Sequence, residues 1–213
     1  DSVTGDPKEL MKLCVEHGMF SASFIRSGLA KFRGFIEQLF VDSYDACRDW
    51  ADVLIATPSS LAGYHVAEKL RIPYYVAFTM PFTRTSYYPN PLMSTQVTTG
   101  KSYYNYTTHL MAEQTLWCPL ASQINNFREK VLGLPPYGLI EAIPAYLHLK
   151  RIPHLYCFSP VLVPKPPDWA EEIHITGFWP LETQEDYSPP EALIQFIAEG
   201  PCVYIGFGSI TIP

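Results

Sequence analysis

The sequence predicts an α/β fold, a parallel sheet flanked by helices. Three observations carry that prediction. Asp52 opens the apolar run Val53-Leu54-Ile55-Ala56, rich in β-branched residues and closed by Thr-Pro-Ser-Ser, which reads as a strand buried on both faces. Tyr74 to Phe78 is a second apolar strand. Between the two lies a helical pattern and no hairpin turn, so strand, helix and strand form a parallel βαβ unit.

Taken in order, residues 6–17 form a helix with Asp6 as N-cap, Pro7 at the first helical position and Glu9 at N3. Leu10, Leu13 and Cys14 make its apolar stripe, and Gly18 stops it. A second helix covers 29–49, with Leu29, Phe32, Phe35, Ile36, Leu39, Phe40 and Tyr44 at helical spacing. Neither follows a strand, so the sheet is expected to draw further strands from outside the sequence. In the central unit, Ser59 or Ser60 serves as N-cap of a helix running through Leu70. Leu61, Val66, Ala67 and Leu70 share one face of it, and Glu68, Lys69 and Arg71 the other. Ile72-Pro73 ends it, because the residue before proline is pushed out of the α region.

Residues 85–106 mix five tyrosines with Pro, Asn, Ser, Thr and Gly and show no period, which reads as a loop, functional or mobile. Helix resumes near Thr108 and runs to Leu132, interrupted at Pro119 and ended by Gly133-Leu134-Pro135-Pro136. Ile140 to Leu149 is a short helix, Leu155 to Phe158 a third strand, and Ile173 to Gly177 a fourth. The polar, proline-flanked stretch 180–190 reads as an interdomain linker. Glu191 to Glu199 is then a helix, and Cys202 to Gly206 a buried strand opening a second α/β domain whose remainder lies beyond Pro213.

Composition excludes several classes. Charged residues make up 17%, below the usual ~25%. The net charge of −6 argues against nucleic acid and against a polybasic lipid anchor. No apolar run approaches the ~20 residues of a membrane span. The five cysteines include no CxxC, and the six histidines form no pair at i+3 or i+4, so no metal site is expected. Cys14, Cys157 and Cys202 lie in apolar runs and read as buried free thiols of a reducing, cytosolic compartment.

Ligands of open α/β sheets sit beyond the carboxyl ends of the strands. Two loops occupy that edge, Thr57–Ser60 and Thr79–Tyr88. Met80, Phe82, Tyr87, Tyr88, Leu92 and Met93 offer a broad, adaptable surface. Exposed, it suits a flat apolar ligand; packed, it is core. Gly206-Phe207-Gly208-Ser209 fits neither G-x-S-x-G nor a Walker loop, and is either a plain strand–loop turn or a phosphate cradle. His65 lies near this edge but lacks a visible carboxylate partner, so it reads as a packed or solvent-facing histidine. Asp168, Glu171 and Glu172 follow Pro166-Pro167 and read as solvated charge.

Several stretches carry a family resemblance. AGYHVAEKLRIPYYVAFTMPFTRTSYYP, GDPKELMKLCVEHGMFS, KSYYNYTTHL and LYCFSPVLVPKPPDWAEEIHITGFW resemble the acceptor-domain segment of fungal sterol 3-beta-glucosyltransferases. YIGFGSI resembles the opening strand of that family's nucleotide-sugar domain. The resemblance implies a GT-B fold of two Rossmann-like domains, of which the chain is the N-terminal acceptor lobe, truncated at both ends. Residues 1–182 would belong to the sterol-acceptor domain, and 183–213 to the linker and first helix and strand of the UDP-sugar domain. The implied reaction is inverting transfer of glucose from UDP-glucose to the 3β-hydroxyl of a membrane sterol such as ergosterol, with no metal and with the general base upstream of Asp1. Ser59, Ser60, Leu61, Met80, Phe82, Tyr87, Tyr88 and Tyr106 would contact the acceptor, and Gly208 and Ser209 the donor. The implied setting is cytoplasmic and peripheral to membranes. The alternative is a non-catalytic sterol- or lipid-binding module on the same scaffold.

Overall fold

The computed structural model describes residues 29–93, 100, 102–138, 151–180 and 188–206, the side chains of 29–32 and Ser59 excepted. The expected helices over 6–17 and 140–149 lie outside those residues, as do Cys14 and most of the 180–190 stretch. The chain divides into two compact units, 1–178 and 179–213.

The larger unit is built on a four-stranded parallel sheet in the order β1-β2-β3-β4. The strands are β1 (Leu54–Ala56), β2 (Tyr74–Phe78), β3 (His154–Tyr156) and β4 (Ile173–Ile175). The register sets Leu54 against Tyr74, Val76 against His154, and His154 against Ile173. The helices are α1 (Leu29–Cys47), α2 (Gly63–Leu70), α3 (Ser102–Trp117) and α4 (Ala121–Phe127). The βαβ unit, the third and fourth strands and the break at Pro119 are all present. Gly133 takes the left-handed conformation, φ 64°, that closes the helical stretch.

Several expectations need correction. β1 is not buried on both faces: it lies at the edge of the described sheet, and Ile55 is 54% exposed. Neither Ser59 nor Ser60 caps α2. Pro58–Ser60 forms a 3₁₀ turn, and α2 starts later with Ala62 at its cap and no side-chain cap bond. The start is set by packing. A Cβ on Gly63 would meet Ala56 Cβ at 2.8 Å and Tyr74 Cε2 at 3.1 Å, so only glycine lets the helix lie this close to the strands. Between turn and helix, Leu61 holds φ 53°, a costly value for a branched side chain.

Tyr103, Tyr104 and Tyr106 belong to α3, not to a loop. Cys157 is half-buried and Cys202 exposed, against the expected buried thiols. In the smaller unit, α5 (Glu191–Ala198) forms as expected. Residues 202–206 form no strand, and Val203, Tyr204 and Ile205 are 76–92% exposed. An apolar run becomes a buried strand only beside partners, and none pairs with it among the described residues.

The core joins α1, α2 and α4 through Phe40, Val66, Ile124 and Phe127. Leu54, Tyr74 and Val76 pack against α2 through Tyr64 and Ala67. Tyr156, Phe158, Trp169 and Ile173 form a further cluster on β3 and β4. The Tyr156 hydroxyl, fully buried, leaves this cluster to accept the amides of Phe82 (3.1 Å) and Thr83 (2.6 Å) and pairs with the Thr83 hydroxyl at 2.6 Å. Burial pushes its pKa up to about 12, so it stays a neutral phenol.

Behind α2, the Arg128 guanidinium donates to His65 Nδ1 (2.9 Å) and to Glu68 (2.7 Å) and lies 3.9 Å from the Tyr137 ring centre. His65 is thus a packed histidine. Accepting at Nδ1 fixes its proton on Nε2. Burial, with Arg128 beside it, lowers its pKa to about 3.

Two predictions follow from these contacts. Tyr156→Phe strands one buried and one part-buried amide and should cost about 1–3 kcal/mol in denaturant unfolding, with faster amide exchange at residues 82–83. Folded His65 stays neutral while the unfolded chain takes up a proton near pH 6.5. Its contribution is therefore complete above that pH and is lost as pH falls towards about 3. His109, buried and likewise lowered mainly by desolvation, acts in the same direction. The unfolding free energy should fall from pH 7 down to 4, by up to about 1.4 kcal/mol per pH unit for His65, and His65→Gln should make the slope shallower.

Candidate functional site

The loop after β2 is held at five points. Beyond the Tyr156 anchor, Asp168 accepts the Thr85 hydroxyl (2.7 Å) and both the amide and hydroxyl of Ser86 (2.8 Å each). Burial would raise the Asp168 carboxyl, but these hydrogen bonds outweigh it and hold its pKa below the usual value. Asp168 is exposed, as the solvated reading expected, and it also clamps the loop. Glu172 likewise pairs with Arg151 at 3.0 Å, while Glu171 is exposed. Asn105 on α3 donates to the Ser86 carbonyl (3.0 Å), and His109 Nε2 lies 3.1 Å from the Tyr88 carbonyl. Arg84 and Glu113 form a bidentate ion pair between the loop and α3. The loop is a fixed wall rather than a mobile one.

That wall helps to enclose a cavity of about 120 Å³ between one sheet face and the helices. Tyr74 and Val76 of β2 and His154 and Tyr156 of β3 form its floor. Ala112, Leu116 and Trp117 of α3, with Leu120 and Ile124, form the opposite side. Thr57, Pro58 and Leu61 border it from the β1–α2 connection, and Phe82, Thr83, Arg84 and Asn90 from the fixed loop. It runs along one sheet face from Tyr74 and His154, the first residues of β2 and β3, to the loops that follow β1 and β2, the edge at which an open α/β sheet is expected to bind its ligand. A largely apolar cleft with a few convergent polar groups suits a small, mainly apolar molecule.

Of the residues expected at the site, Leu61 and Phe82 line this cavity. Leu61 reaches it through its left-handed backbone, and Phe82 packs edge-on to Phe78 at 4.9 Å. Ser60 is half-buried in the 3₁₀ turn; Ser59 is described by its backbone alone, in the same turn. Tyr88 packs on Trp169 and His109, and its hydroxyl is buried without a hydrogen-bond partner among the described residues. Met80 (37% exposed) and Tyr87 (53%) face solvent and do not line the cavity. Tyr106 sits beside Arg84, outside the lining. Gly208 and Ser209 lie outside the described residues. The sequence reading missed Arg84, Glu113, Trp117 and Tyr156; Glu113 and Trp117 lie one helical turn apart on α3, but no short spacing joins them to Arg84 or Tyr156.

Among the described residues, no group of three or more His, Cys, Asp and Glu side chains is placed to hold a metal ion. Nor is any described helix long and apolar enough to cross a membrane.

No family model matches the sequence. Curated relatives do. The sterol 3-beta-glucosyltransferase of Cryptococcus neoformans is 44% identical over 223 residues, covering 100% of the chain and 14% of the relative. That of Emericella nidulans is 46% identical over 215 residues, covering 99% of the chain and 15% of the relative. A UDP-sugar-dependent glycosyltransferase of Dictyostelium discoideum is 46% identical over 217 residues, 98% of the chain and 13% of that protein. The chain spans about a seventh of the length of these relatives. It is an α/β chain similar, along essentially its whole length, to one segment of the fungal sterol 3-beta-glucosyltransferases.

Proposed function

We propose that the chain is the acceptor-receiving part of a UDP-glucose:sterol 3-O-glucosyltransferase of GT-B architecture. The observation that carries this reading is the apolar cavity that runs along the sheet face to the loops after β1 and β2, in a chain so similar to sterol glucosyltransferases. Its walls suit a ring system, and Thr57, Pro58 and Leu61 border it at the sheet edge where α/β folds bring ligands together.

The reaction is an inverting displacement. The sterol hydroxyl oxygen forms a bond to the anomeric carbon as the bond to the diphosphate breaks. A general base takes the hydroxyl proton, and hydrogen-bond donors stabilise the departing UDP. In this reading base and nucleotide pocket are supplied by parts of the larger protein outside the described residues. This chain contributes binding, orientation and exclusion of water, and by itself it turns over no substrate. The sterol reaches it from a membrane surface by peripheral contact from the cytoplasmic side, with exposed Met80, Tyr87 and Tyr103 available for that contact.

The test uses the full-length protein with radiolabelled UDP-glucose and ergosterol. Sterol glucoside should form. Leu116→Trp, which fills the cavity from its half-buried α3 wall, should raise the KM for sterol about tenfold or more and leave that for UDP-glucose unchanged. Transfer indifferent to Leu116→Trp would contradict the placement of the acceptor. Sterol binding without any product would make the protein a sterol-binding module instead.

A further inference from the structure

An ion pair lines a cavity whose other walls are mostly apolar. Arg84 comes from the fixed loop and Glu113 from α3, and their side chains are only 16% and 8% exposed. Arg84 Nε lies 2.8 and 3.0 Å from the two Glu113 oxygens, and Nη2 donates to Oε2 as well. A buried pair of this kind is a poor device for stability, since apolar side chains of similar volume often serve as well or better. Nor is it needed to hold the loop, which Tyr156, Asp168, Asn105 and His109 already fix.

The pair does have spare hydrogen-bonding capacity. A guanidinium carries five N–H donors, and one carboxylate with the neighbouring Tyr106 phenol accepts about three. Other polar groups on the same wall are committed elsewhere. Thr83 is bound to Tyr156. Asn90 Oδ1 accepts the Leu92 amide, and its Nδ2 faces His109.

We propose that Arg84 and Glu113 read the hydroxyl of the cavity's guest. The guanidinium donates to the hydroxyl oxygen and Glu113 holds the guanidinium in place, so the O–H stays free for the general base, while the guest's rings lie along Val76, Leu116, Leu120 and Ile124. The pair selects a neutral alcohol. A carboxylic acid meets the Glu113 charge, and a hydrocarbon leaves the ion pair dry and unanswered. No bond is made or broken at these two residues; they bind and position. The proposal rests on the acceptor reading above.

The experiment measures equilibrium binding of ergosterol and of its 3-deoxy hydrocarbon to the full-length protein. The wild type should prefer the alcohol about tenfold or more. Arg84→Met with Glu113→Met removes both charges and leaves neither orphaned, so the fold should survive. In that double variant the preference should collapse towards unity while hydrocarbon affinity is kept. The isosteric Glu113→Gln should give an intermediate preference, and serves on its own if the double variant does not fold. An undiminished preference for the alcohol in either variant overturns the proposal but spares the acceptor reading. If neither compound binds the wild type, both fall.

Discussion

The Tyr156 hydroxyl is the joint between the sheet and the wall of the cavity. Its ring sits at the centre of the β3–β4 cluster, stacked between Phe158 and Trp169 at 5.2 and 5.1 Å. Its oxygen holds two successive amides of the loop after β2. A strand residue fixed by packing on three sides thereby dictates where Phe82, Thr83 and Arg84 stand. The other clamps act on a backbone already aimed by this one. A loop rich in Ser, Thr and Tyr, which by composition could remain mobile, becomes a rigid surface because side chains distant in sequence satisfy its polar groups.

The opposite border of the cavity is fixed by a different device. Gly63 allows α2 to approach β1 and β2 more closely than a residue with a Cβ could. The preceding residues take up a 3₁₀ turn and a left-handed Leu61, which places an apolar side chain at the cavity. Strain of this kind persists only where the surrounding structure holds the residue in place. The fixed loop and the Leu61 turn thus border a mostly apolar cleft with one ion pair set in its wall.

Much of the fold was legible in the sequence because its signals are local. The apolar runs at β1 and β2, the helical spacing between them, Pro119 and Gly133 all announce their elements within a few residues. What escaped was decided by tertiary contact. The true start of α2 depends on the distance from Gly63 to Ala56 and Tyr74. The first turns of α3 carry Ser, Tyr, Asn and Thr without an apolar stripe, so Tyr103 to Tyr106 resembled a loop. Residues 202–206 have a strand's composition but no described partner. At the site, the sheet-edge argument led to Leu61 and Phe82. It could not separate them from Met80 and Tyr87, which neighbour them in sequence but face solvent. Asp168 meets Thr85 across 83 residues, and Glu113 meets Arg84 across 29, so neither partnership leaves a trace in spacing.

The central claim is that the cleft between β2, β3 and α3 receives the sterol. Photolabelling tests it most directly: the full-length protein is irradiated with a diazirine-bearing sterol, and the labelled peptides are sequenced. The account predicts label on the peptides containing Leu61, Phe82 and residues 112–124, suppressed by excess unlabelled sterol. Specific label confined to other parts of the protein, with these peptides clean, would contradict it.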